Sequence, residues 1–94
     1  MSDWVVEYNR RAIKQRAQLS LRWRKTLTAL VAEIRKGGPV RGNWPNYSKL
    51  GSLRHHCHLN KKGNTTYVAV WEVKDRKIRI IEVVYVGTRE KAPY

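Results

Sequence analysis

Ninety-four residues with 20 Lys and Arg against 7 Asp and Glu, a formal net charge of +13, leave room for one small domain and one modest core. That length excludes a two-domain enzyme with a separate cofactor fold, and no apolar stretch approaches the roughly 18 residues that cross a bilayer. Cys57 is the only cysteine, which excludes an intrachain disulfide and fits a reducing cytosol. Met1-Ser2-Asp3-Trp4 lacks the basic segment and apolar run of a secretory signal, so a cytoplasmic protein is expected. Residues 1–48 hold ten of the basic groups and residues 49–94 the other ten, so the charge belongs to the fold and not to a tail. A surface this basic calls for a polyanion or an acidic protein as partner.

In chain order, Trp4-Val5-Val6-Glu7-Tyr8 reads as a short strand, and Asn9 as the N-cap of a basic helical stretch from Arg10 to Lys36. Trp23, Leu27, Leu30, Val31 and Ile34 form one apolar stripe at helical spacing. Ile13, Ala17 and Leu21 form a second stripe in a different phase, which predicts a hairpin or kink at 18–21. Gly37-Gly38-Pro39 ends the helix, and residues 37–52 read as a long loop. Three strand-like runs follow, 53–59, 67–73 and 78–86. They are joined by Asn60-Lys61-Lys62-Gly63-Asn64 and by the tighter Lys74-Asp75-Arg76-Lys77. The third run is apolar on both faces, which predicts a central strand covered by helices on one side. The expected fold class is α+β, a single domain over 1–94: an N-terminal strand, a helical hairpin, then an antiparallel meander with the helices on one face.

Period-2 alternation in the first run puts Leu53, His55, Cys57 and Leu59 on one face and Arg54, His56 and His58 on the other. Two imidazoles beside an arginine suit general acid–base work near neutrality. A solvated histidine pair and a metal site using His55, His56, Cys57 and His58 are the competing readings. At most two of those four side chains can converge, because neighbours on a strand face opposite ways. Arg89 and Tyr94 lie in the tail that leaves the third run at Gly87, short enough to fold back over the histidine strand. An arginine can clamp a phosphate and a phenol can give or orient a proton, whereas a frayed end would do neither. Trp44 and Lys49, in or beside the loop, pair an aromatic with a cation as single-stranded nucleic-acid sites do, or plug the edge of the core.

On these residues the chain resembles the RelE superfamily of bacterial toxins from toxin–antitoxin modules. The likeness spans nearly the whole chain. It includes Lys49-Leu50-x-Ser52 beside the family's Lys-Leu-x-Gly turn, Thr66–Val73, and the closing run Glu82-Val83-Val84-Tyr85-Val86-Gly87-Thr88-Arg89-Glu90. The resemblance implies a ribosome-dependent endoribonuclease that cuts mRNA. The ribose 2′-hydroxyl attacks the adjacent phosphate without metal or cofactor, leaving a 2′,3′-cyclic phosphate. It implies His56, His58, Arg89 and Tyr94 as the catalytic set, with Lys49, Arg54, Lys61, Lys62, Arg79 and Trp44 as RNA contacts. It also implies an acidic antitoxin as protein partner. Where many members carry an arginine early in the second meander strand this chain has Tyr67-Val68-Ala69, so a phosphate-binding cation is either missing or supplied by Arg54 or Arg79. Histidines replace the lysines of the best-known member. Two alternatives are a ParE-like toxin that acts on DNA gyrase by binding alone, and a plain RNA- or ribosome-binding module.

Overall fold

A computed structural model describes residues 3–94. The elements are β1 (Val5–Tyr8), α1 (Arg10–Gln18), α2 (Leu21–Gly37), β2 (Ser48–Leu50), β3 (Arg54–His58), β4 (Tyr67–Asp75) and β5 (Ile80–Thr88), closed by a 3-10 turn over Arg89–Lys91. The strands form one sheet in the order β1-β5-β4-β3-β2, parallel between β1 and β5 and antiparallel elsewhere. No described helix is long and apolar enough to cross a membrane.

Local chemistry explains the helical hairpin. The Asn9 side-chain oxygen accepts the Ala12 N–H at 2.7 Å, satisfying a first-turn donor, while its Nδ2 donates to the Val84 carbonyl on β5 at 3.4 Å. The chain turns extended at Leu19 and Ser20, then re-enters helix, so the break falls within the predicted window. Gly38 ends α2 at φ 93°, a conformation that a side chain would strain. Leu27, Leu30, Val31 and Ile34 of α2 are buried against Trp71, Val73, Ile81 and Val83 of the sheet, and Trp23 packs at the margin. The Trp71 indole N–H donates to the Pro39 carbonyl at 2.9 Å, so the largest core side chain leaves no polar atom stranded.

Four expectations need correction. First, the second apolar stripe does not face the core: Ile13 and Leu21 are 57% and 59% exposed, and Ala12 and Leu19 are buried instead. α1 packs against β5, and the Ala12 methyl is fully buried. Second, the loop at 37–52 contains a strand. Ser48, Lys49 and Leu50 pair with His56, His55 and Arg54 and extend the meander by an edge. Third, β4 is the middle strand by count, while β5 is interior as predicted, flanked by β1 and β4. Fourth, Leu53 and Ile78 lie outside the strands and are exposed, and β5 runs two residues beyond the predicted end.

The apolar character of β5 on both faces has a local cause. Val70 pairs with Tyr85 but Trp71 pairs with Val83, so Val84 is an extra residue. Such a bulge reverses the alternation. Ile81 and Val83 face the helices, Tyr85 faces the open side with Val68 and Val70, and Val86 returns to the helix side.

Candidate active site

The open face of the sheet, away from the helices, is organised in rows. Arg54 stands beside Glu72, His56 beside Val70 and Tyr85, and His58 beside Val68 and Gly87. His55 and Cys57 lie on the helix side, so the four potential metal ligands are split between two faces. Among the described residues no group of three or more His, Cys, Asp or Glu could hold a metal ion. Burial pushes the Cys57 thiol up to about 12, which makes it a small core residue.

His56 is 8% exposed, with Nδ1 held from the edge strand: it lies 3.1 Å from the Ser48 hydroxyl and 3.3 Å from the Ser48 carbonyl. A proton on Nδ1 donates to that carbonyl and leaves the Nε2 lone pair unused. The His58 ring centroid is 6.2 Å away at an interplanar angle of 59°. Burial lowers the pKa of His58, and the His56 ring and the Arg89 guanidinium lower it further, so it is neutral at pH 7.

The tail completes the constellation. The Arg89 N–H donates to the Thr66 carbonyl at 2.9 Å, anchoring the 3-10 turn beside the loop that joins β3 to β4. Ala92 packs on Val68, Val70 and Tyr85. The chain thus crosses β4, not only an adjacent strand, and sets the Tyr94 ring 4.6 Å from His56 at 49°. Burial raises the Tyr94 pKa against the pull of Arg89, so its phenol keeps its proton. Arg89 therefore acts electrostatically on both His58 and Tyr94.

The expected RNA contacts are spread more widely. Lys61 and Lys62 are exposed in the β3–β4 loop, at the same end of the sheet as His58 and Arg89. Arg54 shares the face of His56, but its Nε and Nη2 both donate to Glu72 Oε2, at 3.1 and 2.8 Å, and hold that carboxyl below its usual range. Lys49 lies beside His55, whose side chain faces the helices. The Trp44 indole donates to Glu33 of α2 at 3.0 Å and packs on the core margin. Arg79 lies in the turn just before β5, at the far end, 5.8 Å over the Trp4 ring and, at strand rise, about 30 Å along the chain from Arg89. Sequence reasoning missed Ser48 and Tyr85. Ser48 meets His56 only through a long-range pairing, and Tyr85 reaches the open face only through the bulge.

Solved structures share this fold. An arginine-to-alanine double mutant of the E. coli toxin RelE, in the free state, superposes with a TM-score of 0.70 at 20% identity, over 98% of this chain and 88% of that one. The fold is that of RelE. The intact E. coli RelBE toxin–antitoxin complex gives 0.68 at 20% identity, over 94% of this chain and 99% of that one. An archaeal RelE–RelB complex from Pyrococcus horikoshii gives 0.68 at 12%, covering 96% and 99%. No protein-family profile matches the sequence, and no curated protein aligns with it. Within the RelE fold, the histidines and the tail tyrosine stand on the face that the helices leave open.

Proposed function

We propose that the chain is the toxin of a toxin–antitoxin pair and an endoribonuclease that cleaves ribosome-bound mRNA. The observation that carries this reading is the meeting of His56, His58 and Tyr94 on one face, with Arg89 in electrostatic reach of the last two. His58, kept neutral, takes the proton of the ribose 2′-hydroxyl as its oxygen bonds to the adjacent phosphorus. Arg89 holds the charge that builds on the phosphorane oxygens. Tyr94, kept protonated, gives its proton to the leaving 5′ oxygen as the P–O bond breaks, and the products are a 2′,3′-cyclic phosphate and a 5′-hydroxyl. His56, held at Nδ1 by Ser48, supports the Tyr94 ring. Lys61, Lys62 and Arg54 are suited to the flanking backbone. The net charge of +13 fits an acidic antitoxin that shields this surface at rest.

The test is cleavage of mRNA on programmed ribosomes, with product ends analysed for cyclic phosphate. Arg89→Ala should slow the cut by about 100-fold or more, the usual cost of one preorganised charge donor. His58→Gln should remove the general base and Tyr94→Phe should slow leaving-group departure, both with unchanged thermal midpoints. Full activity in all three would return the protein to a binding-only role.

A further inference from the structure

Beyond Val84, β5 has no strand on its outer side, because β1 ends opposite Val83. α1 takes that place, and the Gln15 carboxamide oxygen accepts the Val86 N–H at 3.0 Å. A cleft of about 340 Å³ opens between the face of α1 that carries Arg11, Gln15 and Gln18 and the end of β5, within the usual range for small-ligand sites of about 300–1,000 Å³. Arg11 and Lys91 line it as its cations, Gln15, Gln18 and Thr88 supply polar groups, and Tyr67 forms a wall. Among the described residues no carboxylate lines it. The Tyr67 ring is backed by Trp23 at 5.5 Å, which is itself covered by the Arg22 guanidinium at 4.7 Å. Gly87 and Thr88, on its rim, lead directly into Arg89.

We propose that this cleft is a nucleotide subsite: it holds the phosphate of a residue flanking the scissile bond between Arg11 and Lys91 and seats the base against Tyr67. The inference rests on the nuclease reading above and extends it to a part of the surface that does no chemistry. A single strand threading past Arg89 needs a second hold to fix its direction. Cations at the rim with an aromatic wall behind them are the chemistry by which single-stranded RNA is held. Gln15 and Gln18 add amide groups able to meet a base edge.

The test uses isotope-labelled full chain titrated at low salt with adenosine 5′-monophosphate, adenosine and inorganic phosphate, followed by amide chemical shifts. The monophosphate should saturate, bind more tightly than either fragment, and move Gln18, Thr88 and Lys91. Arg11→Ala combined with Lys91→Ala, at two exposed positions, should weaken it about fivefold or more. Tyr67→Leu, which keeps apolar bulk, should do the same through lost stacking. Shifts confined to His56, His58 and Arg89, or monophosphate binding no tighter than inorganic phosphate, would overturn the subsite. In the cleavage assay the double variant should raise KM with kcat unchanged, and an unchanged KM would overturn its role toward RNA. A wild-type protein that binds the monophosphate in the cleft yet cuts no mRNA would sink the nuclease reading while leaving the nucleotide site standing.

Discussion

The Tyr85 hydroxyl donates to the Thr88 carbonyl at 2.6 Å and lies so low over Gly87 that an added Cβ would sit 2.7 Å from it. Gly87→Ala should therefore destabilise the fold by about 1–3 kcal/mol, as overpacking does, and misplace the turn that carries Arg89. Tyr85→Phe in that background should recover part of the loss in a urea titration, because it removes the nearest atom. His55 makes a second prediction. Its ring stacks on Trp71 at 6.0 Å and 7°, Nδ1 lies 2.6 Å from the Tyr47 hydroxyl, and burial foremost, then Lys49 and Arg76, lowers its pKa to about 4. An unfolded histidine titrates near 6.5, so below that pH the unfolded chain takes a proton that the folded one refuses. The stability this histidine contributes is complete above pH 6.5 and is lost as pH falls toward 4. The urea midpoint should fall over that window, and His55→Phe should flatten the dependence. For His58, whose pKa is also lowered, the acidic limb of the pH–rate profile should lie below 6.5. A limb above 6.5 would remove His58 as the base.

At the scale of elements, Asn9 both caps α1 and ties it to β5. Asn9→Ala should cost about 1–2 kcal/mol, the upper part of the range for caps, because two hydrogen bonds disappear. Calorimetry on the pair Asn9→Ala and Asn9→Ser separates the cap from the tie. The elements that local chemistry dictates were legible in the sequence: the cap, the break before α2, the glycine stop, and the histidine strand with its two faces. What escaped depends on partners distant in the chain. A three-residue strand such as β2 has no period of its own and exists because β3 offers it an edge. The burial of Ala12 over Ile13 is set by how close α1 comes to β5, which spacing along the helix does not encode. The same division runs through the site. His56 and His58 were visible as a pair at period 2, whereas Ser48 beside His56 was not.

At the scale of the whole molecule, charge governs encounter. For single-stranded RNA the logarithm of the binding constant should fall against the logarithm of salt by about 0.7 per phosphate contact. Removing Lys61 and Lys62 together should flatten that slope by about 1.4, and an unchanged slope would take them out of the interface. The outer strands β1 and β2 are only 4 and 3 residues long, so the sheet ends in edges too short to template a foreign strand.

The extra residue at Val84 carries a consequence for how this chain can vary. Facing in a strand is a matter of counting, and one deletion reverses every position downstream of it. Val84 is the exception: without it Val83 and Tyr85 would be consecutive, opposite Trp71 and Val70, and Tyr85 and Val86 would keep their faces in a regular ladder. Loss of Val86, beyond the bulge, would instead turn Gly87 toward the helices and re-aim Thr88 and the turn that carries Arg89. Deletion of Val86 should thus damage activity far more than deletion of Val84, a contrast that a deep mutational scan would read directly.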